Sequence, residues 1–275
     1  MTWWMLAALV PVGFALGTLG TFMGIGGGFL LVPMLAVAFP RLDAPTITSI
    51  SLAVVFFNAG SGSLAYSRQR RIDYVSAAWF SIAAVPGAMV GAWTTYLLPQ
   101  RLFLALFGGL MAVASLYLLV HPEADDGAPA TAVPRGTTRR LIDSEGVTYE
   151  YSYSGKLGMG LSAVVGYVSS LLGIGGGVIH VPLLTRVLSF PVHVATATSH
   201  LVLAITALTA TVVHAASGSF HGDALRIPLL LSLGVVPGAQ LGARLAARAT
   251  GAWIVRSLAV ALAAVAIRVL YQAVG

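Results

Sequence analysis

Long apolar runs alternate with short polar breaks along almost the whole chain, and the runs fall into two matching sets. In the first set residues 3–39 are apolar throughout but are interrupted at Gly24-Ile25-Gly26-Gly27-Gly28, and further runs cover 46–66, 74–98 and 102–120. In the second set a broken run over 157–189 is followed by runs at 195–216, 224–247 and 252–271. Each unbroken run has about the length of a bilayer-crossing helix. The interruption returns as Gly173-Ile174-Gly175-Gly176-Gly177, and in both sets a proline, Pro33 or Pro182, follows nine residues after the first glycine. So many glycines cannot hold a good helix, because each costs about 1 kcal/mol relative to Ala. Lipid offers freed amides no partner, so such a break survives only where it is buried in protein or lines a polar cavity. Glycine-interrupted segments at corresponding positions of two halves mark the binding site of a transporter.

Three further matches in the same order make this a duplication rather than shared composition. Thr46-Ile47-Thr48-Ser49 answers Thr196-Ala197-Thr198-Ser199, Val85-Pro86-Gly87-Ala88 with Gly91 answers Val236-Pro237-Gly238-Ala239 with Gly242, and Asp73 answers Asp223. The arginines orient the halves. Arg68, Arg70 and Arg71 follow the second run of half one, whereas Ser217 to Asp223, the equivalent loop, holds no Arg or Lys. After the third run the bias reverses, with Arg101 against Arg244, Arg248 and Arg256. Basic loops face the cytoplasm, so equivalent loops lie on opposite sides and the repeats are inverted. Inversion requires an odd number of crossings per half, so each glycine-broken stretch enters and leaves on one face as a hairpin, either re-entrant or fully spanning. Residues 67–73 and the connector then lie in the cytoplasm and both termini outside. The predicted fold is an all-α integral membrane protein of two inverted repeats. Each repeat is a Gly-broken helical hairpin plus three transmembrane helices, about eight to ten membrane segments in all. Its parts are an N-terminal repeat (1–120), a connector (121–156) and a C-terminal repeat (157–275).

The connector differs in composition. Its acids and bases gather with Pro and Gly, and its second part alternates polar and apolar positions around Ser144-Glu145-Gly146, which predicts a small β-hairpin. An ordinary connector is favoured there over a gate. Composition agrees with the membrane reading: 57% of the 275 residues are hydrophobic and 9% charged, against about 25% charged in soluble domains. The first run starts at Trp3 without a preceding Lys or Arg, so it reads as a retained helix rather than a cleaved leader. The net charge of +6 sits mostly in arginines of short loops, which fits membrane topology and argues against nucleic acid. The absence of cysteine excludes disulfides and thiolate metal sites.

Carboxylates are nearly absent from the apolar runs, with Asp43, Asp73 and Asp223 all at their edges. A cation carrier would place Asp or Glu at mid-membrane, so an anionic or neutral substrate is expected. Donors are available at Gly24, Gly26, Gly27 and Gly28 and at Gly173, Gly175, Gly176 and Gly177, where helices restart at about Phe29 and Val178. A helix N-terminus carries roughly half a positive charge and binds oxyanions through free N–H groups. Helix packing would explain one glycine in four but not three in a row. No Gly-Lys-Ser/Thr follows, which removes a nucleotide loop. Thr48, Ser49, Thr198 and Ser199 open the next helices and serve either as hydroxyl donors or as N-caps. His180 and His200 are anion ligands, carriers of a coupled proton, or satisfied core histidines. Pro86 and Pro237 are expected to kink their helices. No metal site, cofactor site or catalytic triad is expected.

The duplicated glycine segments with their following prolines, the Thr-Ser pairs and the Pro-Gly-Ala helices resemble the TauE/SafE family of sulfite exporters, also described as toluene-sulfonate uptake permeases. The likeness covers nearly all of the chain outside 121–156. It implies movement of sulfite, organosulfonates or related sulfur-containing anions across the bacterial inner membrane. The expectation is therefore a secondary transporter, not an enzyme, that exposes a midplane site between the two glycine breaks to each side in turn. Proton coupling through His180 or His200 is an added expectation, and a passive anion channel on the same scaffold is the alternative.

Overall fold

A computed structural model describes residues 3–40, 42–120 and 136–274. The chain forms α1 (Trp3–Phe22), α2 (Gly28–Ala38), α3 (Ala44–Arg68), α4 (Tyr74–Thr94, extended by a 3-10 turn at Thr95–Leu97) and α5 (Gln100–Val120). A two-stranded sheet, β1 (Thr137–Ile142) and β2 (Thr148–Tyr153), precedes α6 (Gly155–Leu172), α7 (Gly177–Pro182, continued by a π turn at Leu183–Val187), α8 (Val192–Ala216), α9 (Asp223–Arg248) and α10 (Gly251–Val274). Seven of the described helices are long and apolar enough to cross a membrane. Their outward side chains stay apolar, with Trp79, Trp93, Trp253 and Ile267 more than half exposed, as lipid-facing positions require.

Local chemistry sets where the helices begin. The Asp43 carboxylate accepts from the Thr46 amide at 3.1 Å and caps α3, and Asp73 does the same for α4 through Ser76 at 3.1 Å. Pro191 precedes α8 without a side-chain cap. Thr48 and Thr198 therefore sit in the second turns of α3 and α8, and the N-cap alternative for the Thr-Ser pairs is corrected. In α3 the capping Asp43 stands earlier and satisfies a first-turn amide, and in α8 the helix already begins at Val192, six residues before Thr198. Pro86 and Pro237 are both carried inside unbroken helices.

Long-range packing crosses between the halves. α1 lies along α9, α6 along α4, α3 against α8 and α9, α4 against α8, and α5 against α10. Exchanging each element for its repeat counterpart leaves this set of partners unchanged. Glycines make the crossings close: a Cβ at Gly87 would stand 2.2 Å from the Ala163 carbonyl oxygen, and one at Gly238 2.3 Å from that of Phe14. These contacts are backbone on backbone, the small-residue mode of membrane helix association.

The sheet is an antiparallel hairpin in which Thr137 faces Tyr153 and Ile142 faces Thr148. Asp143 shapes its turn by accepting from the Glu145 and Val147 amides at 2.9 and 3.0 Å. The hairpin is fastened to the α3–α4 loop by Arg71, whose guanidinium pairs with Asp143 at 3.0 Å, both side chains being buried. Ser144 adds a bond from its amide to the Gln69 carbonyl at 3.0 Å. Period-two alternation puts Tyr151 and Tyr153 on the inward face, where they pack with Phe80, Leu184, Leu188 and Phe190. The Tyr151 hydroxyl donates to Asp73 at 2.8 Å. Burial, and next the Asp73 charge, push that phenol far above its ordinary value, so it stays a donor at physiological pH.

Burial alone would raise the Asp143 carboxyl, but the Val147 and Glu145 amides and Arg71 outweigh it and hold the group below the usual carboxylate range. Its folded pKa is therefore lower than its unfolded one. The stabilisation is complete above about pH 4 and is lost as pH falls through the folded value. Breaking a buried pair leaves an uncompensated charge, so Asp143→Asn should cost about 3–5 kcal/mol of hairpin docking. Proteolysis of the connector in membranes, faster in the variant and in the parent at acid pH, reads this directly. Glycines divide by surroundings: Gly238→Ala should lower the melting temperature of the detergent-purified protein. Gly109→Ala, with nothing within 4 Å of the added methyl, should gain up to about 1 kcal/mol from helix propensity.

Candidate functional site

Both glycine breaks adopt one conformation. Gly24, Gly26 and Gly27 have φ of 78°, 79° and 79°, and Gly173, Gly175 and Gly176 have 72°, 78° and 91°, a region that L side chains avoid. The chain thereby turns at the break, which brings Gly27 beside the Leu16 carbonyl of the helix just left. Ile25 and Ile174 donate their amides to the Gly20 and Ser169 carbonyls, residues at equivalent positions. The next helix then starts with its first amides ahead of any intrahelical acceptor, and neither Gly27 nor Gly176 supplies a side-chain cap.

The two breaks lie against each other. A Cβ at Gly28 would meet the Gly173 carbonyl oxygen at 2.8 Å, and one at Gly177 the Ile25 Cα at 2.4 Å. Each break also abuts the helix start of the opposite half: Gly24 would meet Thr196 Cγ2 at 2.5 Å, and Gly173 would meet Thr48 Cα at 3.1 Å. Ser51 donates to the Gly173 carbonyl at 2.6 Å and ties α3 to the second break.

A small buried cavity borders the second break. Gly175, Gly176, Gly177, His180 and Ser199 line it together with Ser162, Ser169 and Thr206, and no carboxylate does. Its free volume is about 10 Å³, the room of about one water. The His180 ring bonds Ser162 at 3.2 Å, while the buried Ser199 hydroxyl has no partner. The first break is filled instead. Asn58 Nδ2 lies 3.4 Å from where a Gly27 side chain would begin and has no hydrogen-bond partner, while Asn58 Oδ1 accepts from the Thr21 hydroxyl at 2.6 Å. His200 approaches Thr21 Oγ1 at 3.3 Å and stands edge-on to Tyr66, whose hydroxyl donates to the Thr21 carbonyl.

Of the residues expected from sequence, Gly175, Gly176, Gly177, His180 and Ser199 meet around the cavity. Gly24, Gly26, Gly27, Gly28 and His200 belong to the filled first break. Thr48 lies beside Gly173 with an unpartnered hydroxyl, and Ser49 bonds back to the Thr46 carbonyl. Thr198 accepts from the Asp73 amide at 3.1 Å and so joins the α4 start rather than the cavity. Sequence reasoning missed Asn58, although the only asparagine of the chain inside an apolar run was a signal. It also missed Ser162 and Ser169, whose spacing of seven puts both on one face of α6.

The family model for the sulfite exporter TauE/SafE matches residues 9–269. The chain belongs to the TauE/SafE family. A TauE/SafE chain of this kind is a membrane transporter, and the curated relatives carry that description. The probable membrane transporter protein YunE of Bacillus subtilis is 34% identical over 245 residues, 87% of this chain and 86% of the relative. The probable membrane transporter protein ORF9 of Sinorhizobium sp is 28% identical over 272 residues, 97% of this chain and 92% of that protein. No solved structure matches.

Proposed function

We propose that this TauE/SafE transporter carries a small sulfur oxyanion, sulfite or an organosulfonate, across the bacterial inner membrane by alternating access around the paired glycine breaks. The observation that carries the reading is the cavity at Gly175–Gly177, a buried space with uncapped helix amides, three serines, a threonine and a histidine, and no carboxylate. Fixed backbone donors at a helix start attract negative charge, and the Ser199 hydroxyl is free to add a bond. As drawn the cavity holds about one water, so the anion enters when the halves separate. The first break, with the spare Asn58 amide donor beside Gly27, completes the site in that open state.

The inverted arrangement supports the same reading. α2 has 11 residues, about 16 Å at 1.5 Å per residue. That is half of a hydrocarbon core, whereas the arms before the breaks, α1 and α6, have 20 and 18 residues, so the arm that follows each break is the half-crossing one. The symmetric exchange of partners between halves is what rocking about a shared site needs. Residues 67–73 and the hairpin face the cytoplasm, and the termini lie outside. His180, in contact with the cavity, is the group placed to carry a coupled proton.

In proteoliposomes, sulfite uptake should saturate and should accumulate sulfite against a gradient when a proton gradient is imposed. Flux that never saturates and only equilibrates would identify a passive channel instead. Ser199→Ala and Asn58→Leu should each raise KM about tenfold, the worth of one charge-assisted hydrogen bond. Asn58→Leu should also cost about 1–3 kcal/mol of stability, because with the unpaired amide donor it removes the acceptor of the buried Thr21 hydroxyl. Gly176→Leu should abolish uptake while sparing membrane insertion, and uptake at the parent's rate would refute the site.

A further inference from the structure

A second pocket of about 450 Å³ lies beneath the β-hairpin, lined by Trp79, Phe80, Arg139, Tyr153, Lys156 and Met159 among others. Its rim at Gly136, Thr137 and Lys156 is exposed. The only charged side chains lining it, among the described residues, are Arg139 and Lys156. Among the described residues no carboxylate pairs with Lys156, and Arg139 is held only loosely, with Nε 3.6 Å from Asp73 Oδ2 and no hydrogen bond. A lining residue of this pocket, Phe80, packs against a lining residue of the cavity at the second break, His180. Phe80 meets the Tyr153 ring edge-on at 5.8 Å on one side and the His180 ring edge-on at 5.8 Å on the other. Phe80 and Tyr153 line the open pocket, and His180 lines the buried cavity. Phe80 and His180 stand between the two spaces.

We propose that the hairpin pocket is an oxyanion-binding antechamber of the transport path, with Arg139 and Lys156 as its ligands, and that Tyr153 and Phe80 form the gate between it and the cavity. This rests on the transport reading above and extends it to a segment that the sequence favours as a plain connector. The gate is latched through a single carboxylate. Tyr153 bonds the Ser76 hydroxyl, Ser76 bonds Asp73, and Tyr151 donates to Asp73 Oδ2, the same oxygen that Arg139 faces. The Asp73 amide in turn donates to Thr198, one residue before the cavity-lining Ser199. An oxyanion that draws Arg139 away pulls on β1 at the position paired with Tyr151, and so displaces the strand that carries both tyrosines. Arrival of the solute and release of the gate then act on one hairpin.

The natural absence of cysteine makes access measurable. Ser162→Cys places a single thiol in the cavity wall, to be labelled in membrane vesicles of either orientation by an anionic ethylsulfonate or a cationic trimethylammonium-ethyl methanethiosulfonate. In the otherwise unchanged chain labelling should be slow. Adding Tyr153→Ala should speed it several-fold for both reagents, from the hairpin side alone. Adding Arg139→Gln with Lys156→Gln should lower the anionic-to-cationic rate ratio about tenfold at low salt, and less at high salt. A thiol as slow with Tyr153→Ala as without it overturns the gate, and an unchanged ratio overturns the antechamber. Should Tyr153→Ala not fold, Tyr153→Phe removes only the Ser76 bond and should still give a smaller acceleration. Lys156→Gln alone, at an exposed position, should lower the ratio in the same way. Labelling needs no transport, so correct labelling without sulfite flux would sink the transport reading alone. Sulfite flux without these labelling changes would sink the antechamber alone.

Discussion

Backbone meeting backbone at the centre of the molecule is the contact on which the rest depends. Gly28 touches the carbonyls of the opposite break and Gly177 touches Ile25, at separations where a methyl group would collide with main-chain atoms. Left-handed glycines turn the chain there, and the fully buried Ile25 and Ile174 fill the core behind the turns. Any side chain at these positions would force the breaks apart, and with them the two helix starts whose amides have no cap. Geometry and chemistry therefore share one cause: the residue that permits the contact also frees the donors.

The same economy of side chains holds the halves together. α1 lies on α9 and α4 on α6 through glycines pressed against carbonyl oxygens, so the first arm of each broken hairpin is held by the other half, while the short second arms α2 and α7 pack on α3 and α8 of their own half. In lipid this packing matters more than apolar character, because the surrounding tails are as apolar as the helix faces. It also links the two breaks mechanically, since a shift of α1 moves α9 and a shift of α6 moves α4. A TauE/SafE transporter built in this way carries its polar groups at the breaks and leaves the outer faces to lipid.

Outside the bilayer segments, the hairpin is bound by charge rather than by apolar area alone. Arg71 and Asp143 are buried together, and Asp73 gathers Ser76, Tyr151 and Arg139 around one carboxylate. Buried pairs of this kind contribute little net stability but fix geometry, because a shifted partner leaves a charge unpaired. Tyr153 is thereby held against Phe80 over the cavity. The hairpin thus reaches the cavity at second hand, through Phe80 against His180.

The sequence by itself determined the elements. Apolar length placed the membrane helices, consecutive glycines placed the two breaks, and alternation around Ser144-Glu145-Gly146 placed a turn between two strands, because each of these is a property of neighbouring residues. Only the tertiary structure decided the partners. Arg71 and Asp143 are 72 residues apart, and nothing local in either announces the other. Thr198 reads like its counterpart Thr48, yet one accepts from Asp73 and the other stands by Gly173. The repeats are near-equal in motif but not in what surrounds them: Asn58 fills the space beside the first break, whereas Ser162, Ser169 and Thr206 leave a cavity beside the second. Motifs record what the backbone must do, while a cavity is the volume that distant side chains fail to fill.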